Sequence, residues 1–321
     1  MNDSPDVAEV HDATVPFNEA GHRLDQVLAR MFPQYSRAQL QRWIREGHAT
    51  IDGETRRPRD TVFGGERVCV RARVEDQARA GPEAIDLTIV YKDDDLMVVD
   101  KPPGLVVHPG AGNAHGTLVN GLLHADPELS ALPRAGLVHR LDKDTSGLLI
   151  VARTAAAFAT LTQAMSHREI SREYIALCVG ALSGGGTIDA PIGRHPVDRK
   201  KMAVNERGRD ARTHYRVLKR YRGHTLVAVT LDTGRTHQIR VHFAHKRWPL
   251  VGDRTYGRPA LPRKASEALR EALTAFGRQA LHARRLTLAH PTTGEMLHIE
   301  SPLPDDLKHL VELMDAEQAV T

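Results

Sequence analysis

Only two cysteines, Cys69 and Cys178, occur in 321 residues. They lie far apart and form no CxxC pair, which excludes a disulfide framework or a cysteine zinc site and suits a reducing cytoplasm. No apolar run approaches the ~18 residues that a membrane span needs. The first 16 residues, MNDSPDVAEVHDATVP, lack the basic segment and apolar core of a secretion signal. Nucleotide loops are missing as well. Gly-Lys is nowhere followed by Ser or Thr, and Gly110, Gly112 and Gly116 have the wrong spacing for a dinucleotide loop. Asp142-Lys-Asp-Thr-Ser-Gly147 copies the first half of a calcium loop, but position twelve is Arg153, where that loop requires a bidentate glutamate. The 18 histidines include His237, His242 and His245 in one segment, yet no HExxH or carboxylate-completed ligand set accompanies them. Neither a metal nor a cofactor is called for.

What is present fits a soluble globular chain: 41% hydrophobic and 26% charged residues. At ~150 residues per domain, the length suggests two domains. The net charge of +4 is modest, but it is unevenly spread. Residues 17–74 hold 11 arginines, no lysine and 7 acidic residues, and residues 194–222 hold 11 basic and 3 acidic ones. Two basic regions on a nearly balanced chain read as a phosphate footprint.

The chain divides accordingly. Residues 1–16, acidic and without aromatics, are expected to form a disordered tail. Leu24, Val27, Leu28 and Met31 then recur at helical spacing. Ser36 and Gln39 form a capping box for a second helix, with Leu40, Trp43 and Ile44 on its buried face and Gly47 at its end. Arg37, Gln41 and Arg45 fall on another face, an outward basic ridge. Short strands follow over His48–Ile51 and Glu66–Val70, with a turn at Asp52-Gly53. Residues 17–76 are thus one small module, 77–84 a linker within an Ala-, Arg- and Gly-rich run, and 85–321 a single larger domain. In that domain the pattern predicts a hairpin around residues 92–95, strands over Leu148–Val151 and Glu173–Val179, a helix over Thr154–His167 and a second hairpin around Arg222-Gly223. Runs of strands with occasional helices argue α+β, a mixed and mostly antiparallel sheet.

Two resemblances refine this reading. Arg23-Leu24-Asp25, Ser36-Arg37, Ile44, Gly47 and Asp52-Gly53 resemble the αL RNA-binding fold of ribosomal protein four of the small subunit. Gly136-Leu-Val-His-Arg-Leu-Asp-Lys-Asp-Thr-Ser-Gly147 resembles the central motif of the pseudouridine synthases that modify bacterial ribosomal and transfer RNA. Three more segments match in order: Asp100-Lys-Pro-Pro-Gly-Leu105, Ser171-Arg-Glu-Tyr174 and Thr233-Gly-Arg-Thr-His-Gln-Ile-Arg-Val-His242. Arg194-His195-Pro196, Met202-Ala203-Val204 and Arg278–Ala283 bring the chain nearest to the large-subunit rRNA branch, type D. The resemblance covers nearly all of residues 17–305.

It implies an isomerase acting on uridines of 23S rRNA, in the subunit-bridging stem-loop (helix 69). It also implies that Asp142 is the essential carboxylate, Arg240 its partner, and Arg140 the side chain filling the gap left by a flipped base. The chemistry agrees. Breaking an N-glycosidic bond develops positive charge on the sugar, where a carboxylate serves as nucleophile or stabiliser; addition to the uracil ring is the other route. A shielded carboxylate needs a permanent cation, and Arg240 is expected to hold Asp142 through two parallel donors. Tyr174 offers a face for stacking and a hydroxyl for proton handling. A base inside a helix must be flipped to be reached. Arg23, Arg37, Arg45, Lys101 and Arg235 complete the expected RNA contacts. The expected partner is 23S rRNA or a large-subunit precursor, with no membrane and a monomeric chain. The alternative is a non-catalytic rRNA-binding assembly factor on the same scaffold.

Overall fold

The computed structural model describes residues 9–32, 35, 37–72, 81–110, 113, 115–198, 201–262 and 265–319. Its contacts divide the chain into two units, Met1–Arg79 and Ala80–Thr321.

The first unit begins with β1 (Glu9–Thr14), α1 (Leu24–Met31) and α2 (Arg37–Glu46), followed by β2 (Ala49–Ile51) and β3 (Arg67–Ala72). The apolar stripes of both helices bury Leu24, Val27, Leu28, Leu40, Trp43 and Ile44 against Ile51, Val68 and Val70 of the sheet. Strand order is β1-β3-β2, all antiparallel. The expected tail therefore needs correction. Glu9–Thr14 pairs along the whole of β3, from Glu9 opposite Ala72 to Thr14 opposite Arg67. A free strand edge recruits the segment through its backbone, which composition does not report. Asp52 and Gly53 both have positive φ, and Ile51 and Glu54 exchange backbone hydrogen bonds across them, so the expected turn is there. Ser36 of the expected capping box and residues 77–80 of the linker lie outside the described residues.

The second unit opens with the hairpin β4 (Thr88–Lys92) and β5 (Leu96–Lys101), then α3 (Leu118–Ala125), β6 (Ser146–Ala152), α4 (Ala155–His167) and β7 (Ser171–Val179). After β8 (Gly186–Asp189) come the short pair β9 (Ile192–Arg194) and β10 (Met202–Val204), then the long hairpin β11 (Arg212–Tyr221) and β12 (His224–Leu231). The chain ends with α5 (Gln238–His245), α6 (Glu267–Ala275), β13 (Leu281–Ala289), β14 (Met296–Glu300) and α7 (Asp305–Ala319). Nine strands form one sheet in the order β4-β5-β6-β13-β7-β12-β11-β8, with β14 beside β13. Every pairing is antiparallel except β6 with β13. This is the α+β architecture expected.

Side-chain alternation sends successive residues to opposite faces. In β7, Tyr174, Ala176 and Cys178 join the core covered by α3 and α5, whereas Ile175 and Leu177 join the one covered by α6 and α7. Gly147, the second residue of β6, has φ +110°, and a Cβ there would meet the Ala283 carbonyl oxygen at 2.2 Å. Only glycine permits the parallel strands to approach immediately after the 136–146 segment. Among the described residues no helix is long and apolar enough to cross a membrane.

Candidate active site

Three features of the sheet converge on one cavity of about 480 Å³: the segment entering β6, the start of β7, and the turn from β12 into α5. Asp142, Tyr174, Arg240, Arg140 and Arg235, all expected from sequence, line it. Lys101, Arg23, Arg37 and Arg45 do not.

Asp142 stands in the loop between Leu141 and β6, its side chain 17% exposed. Its Oδ2 accepts from Arg240 Nη1 at 2.9 Å. Arg240 projects from α5, whose first residues are anchored by Gln238: its Oε1 accepts from the Arg235 amide and from the Thr233 hydroxyl, and its Nε2 donates to β11. The expected two-pronged contact with Asp142 is not what forms. Arg240 turns its Nε and Nη2 edge to Asp253, at 2.7 and 2.9 Å, and spares one nitrogen for Asp142. Asp253 has a fully buried side chain and must be matched by a cation. Its Oδ1 also accepts the Thr255 and Tyr256 amides. Burial opposes the charge on Arg240, but Asp253 first and then Asp142 outweigh it, and its pKa lies above the ordinary arginine value. The guanidinium carbon also lies 5.1 Å from the centre of the Tyr256 ring.

Tyr256 continues the network. Its hydroxyl oxygen accepts the Met202 amide and lies 2.7 Å from His237 Nδ1. His237 Nε2 lies 3.9 Å from Oδ1 of Asp142, the oxygen that Arg240 does not bond. His237 adopts a left-handed φ of +57° as it caps α5, and burial holds its pKa below the ordinary value despite the charge of Asp142. Tyr174 is buried beside Asp142; burial raises its phenol pKa, with the Arg172 charge opposing and the Asp142 charge adding to the rise. His242, from the same histidine-rich segment, is occupied in the core by Thr213 and the Ala190 carbonyl.

Lys101 requires correction as an RNA contact. It is fully buried, and Nζ donates to the carbonyls of Pro102, Leu105 and Lys143 at 2.7, 3.1 and 2.8 Å. Burial brings its pKa down to about 7, while the three carbonyls accept all three protons of the ammonium form. It ties the 102–105 loop to the residue that follows Asp142.

The outward ridge of α2 is likewise only partly free. Arg37 donates twice to the buried Asp25, at 3.0 and 2.6 Å, and Arg23 grips the same carboxylate at 3.1 and 3.2 Å. Gln41 bonds it too. Arg45 is exposed. Sequence reading missed Asp253, Tyr256, His237 and Arg172. The one signal for Asp253 is a carboxylate closing the apolar run Pro249-Leu250-Val251-Gly252.

Residues 95–245 match the RNA pseudouridylate synthase family and residues 22–68 match the S4 domain. The chain is 53% identical over 313 residues to the ribosomal large subunit pseudouridine synthase D of Xanthomonas campestris pv. campestris, covering 97% of this chain and 95% of that one. It is 50% identical to the synthase of that name from Escherichia coli, over 95% of this chain and 94% of the relative. Human RNA pseudouridylate synthase domain containing 4 superposes with a TM-score of 0.56 at 28% identity, covering 71% of this chain and 93% of that structure.

Proposed function

The chain belongs to the RNA pseudouridylate synthase family, whose members are isomerases, and we propose that it converts specific uridines of 23S rRNA to pseudouridine in the subunit-bridging stem-loop, helix 69. The names of its relatives and its S4 domain support rRNA as the substrate. The observation that carries the chemistry is the Asp142–Arg240 contact at 2.9 Å inside a cavity large enough for one nucleotide.

In this reading Asp142 is the catalytic carboxylate. Arg240 orients it through Oδ2, which leaves Oδ1 open to the substrate. Oδ1 attacks the anomeric carbon as the bond to N1 breaks, and C5 of the turned base then displaces Oδ1. Alternatively Oδ1 adds to C6 of the uracil ring, the bond from N1 to the anomeric carbon breaks, C5 of the turned base bonds that carbon, and Oδ1 is eliminated from C6. In both routes the C5 proton leaves and N1 gains one, so atoms and charge balance. Tyr174 stacks on the base and handles a proton at its hydroxyl. Exposed Arg140 fills the space that the flipped base vacates, and Arg235 holds RNA at the cavity rim. The N-terminal module contributes phosphate contacts through Arg45 and the outer edges of Arg23 and Arg37.

Pseudouridine mapping of rRNA from cells with and without this protein tests the proposal. A helix 69 uridine should lose its modification when the protein is absent and regain it on complementation. An unchanged rRNA map would overturn the assignment.

A further inference from the structure

Arg172 precedes Tyr174 by two residues in β7, so both side chains point to the same face of the sheet, and both line the cavity that holds Asp142. Arg172 is only 8% exposed, and its Nε is out of water with no hydrogen-bond partner. Among the described residues no carboxylate is paired with this guanidinium. Three other buried or half-buried arginines of the unit are treated differently: Arg240 meets Asp253 and Asp142, Arg278 meets Asp306, and Arg153 meets Asp126.

Among the described residues no carboxylate of the cavity wall is paired with it. Asp142 is engaged through Oδ2 by Arg240, and Asp232 sits against His214 at 3.1 Å. The remaining charged lining adds positive charge through Arg134, Arg140 and Arg235. The wall is also shaped around Arg172. A Cβ on Gly234 would stand 3.2 Å from Nη1, so glycine lets the loop before α5 pass beside the guanidinium without a side chain crowding it. A buried, unpaired cation is costly and persists where a ligand supplies the missing charge.

We infer that Arg172 is an anion receiver within the cavity, taking a backbone phosphodiester of the nucleotide whose base enters beside Tyr174. This rests on the RNA reading above and adds a phosphate subsite to it. Uracil and ribose are neutral, so the phosphodiester is the part of a nucleotide that balances the charge. The planar fork of arginine matches two phosphate oxygens.

The test uses the full chain and a stem-loop RNA bearing a uridine that rRNA mapping shows to be converted. The same RNA is made with an uncharged methylphosphonate on the 5′ or the 3′ side of that uridine. Wild type should lose roughly ten- to a hundredfold in kcat/KM at one linkage, the range of a charge-assisted hydrogen bond. Arg172→Gln should show that loss already with the natural RNA and lose nothing more with the uncharged linkage. Because the substitution removes an unpaired buried charge, its melting temperature should equal or exceed that of wild type. Arg172→Gln retaining the full methylphosphonate penalty would mean that the guanidinium reads base or sugar, and the inference falls. Wild type indifferent at both linkages overturns it without any variant. Failure of the RNA reading appears separately, as no converted uridine in the mapping.

Discussion

Arg240 gives its two-pronged edge to Asp253 and a single nitrogen to Asp142, so one guanidinium joins a buried structural carboxylate to the carboxylate of the cavity. The first contact fixes the guanidinium plane and the second transmits that fixed position to Asp142. Replacing Arg240 by lysine keeps the charge and loses this bridge, because one ammonium cannot span both partners in plane. Single-turnover rates at saturating enzyme should fall about a hundredfold, the order expected when a reacting group shifts by ~1 Å. A wild-type rate in Arg240→Lys would assign the orientation of Asp142 to another neighbour, His237 being the one at 3.9 Å.

Asp253→Asn separates positioning from chemistry. The amide puts an NH2 where one acceptor oxygen stood, so the two-pronged contact is lost and Arg240 is left buried and half-paired. Breaking a buried pair in this way costs about 3–5 kcal/mol. Denaturant unfolding should show that loss, and single-turnover rate should fall while RNA affinity stays near wild type. A variant with full rate but reduced stability would confine Asp253 to the fold.

Asp142→Asn should abolish isomerisation and leave the fold intact, since Arg240 remains doubly bonded to Asp253 in its absence. Release of the C5 proton from RNA labelled at that position is the direct readout, with RNA affinity measured alongside. Substantial proton release by the purified variant would remove Asp142 from the chemistry.

The site was legible where residues lie in long local motifs and obscure where burial assigns the roles. Asp142, Tyr174 and Arg240 stand in segments whose order could be read directly, although Arg240 and Asp142 are 98 positions apart. Asp253 carries no local signal beyond a carboxylate ending an apolar run, and its partner is chosen by the packing of α5. Lys101 looks like a surface cation in sequence and is fully buried in the fold. Glu9–Thr14 has a tail's composition and becomes a strand because β3 offers it a hydrogen-bonding edge. Helical stripes such as that of α1, by contrast, need only spacing, and they were found within a residue or two.

Acid should destabilise the second unit through His139. Its Nε2 accepts the Ile150 amide and its Nδ1 is out of water, so burial, reinforced by the Arg172 charge, brings its pKa down to about 3. The unfolded chain takes up this proton near pH 6.5 and the folded chain does not, so stability falls with pH between 6.5 and 3. The slope is about 1.4 kcal/mol per pH unit from this group. Unfolding free energies at pH 7 and pH 5 should differ accordingly, and His139→Gln, which can still accept from Ile150, should flatten the difference. Equal slopes in the two proteins would place the acid sensitivity elsewhere.

Two arginines on one helix should respond differently to truncation. Arg37 is committed to Asp25, whose side chain is fully buried; burial works against that carboxylate's charge, but Arg37, Arg23 and Gln41 together hold its pKa below the ordinary value. Arg45, eight residues on, is exposed. Arg45→Ala should therefore remove a phosphate contact and nothing else. The slope of log K against log salt for rRNA binding would drop in magnitude by roughly 0.7–0.9, with the melting temperature unchanged. Arg37→Ala removes part of the shell around a buried charge, which costs about 1–3 kcal/mol in stability of the N-terminal unit. Its effect on binding then mixes a lost contact with a loosened helix pair. Salt titrations and thermal melts on both variants check the contrast. Matching slopes and matching melts would mean that the grip on Asp25 contributes nothing to the module, and that α2 presents one uniform basic ridge.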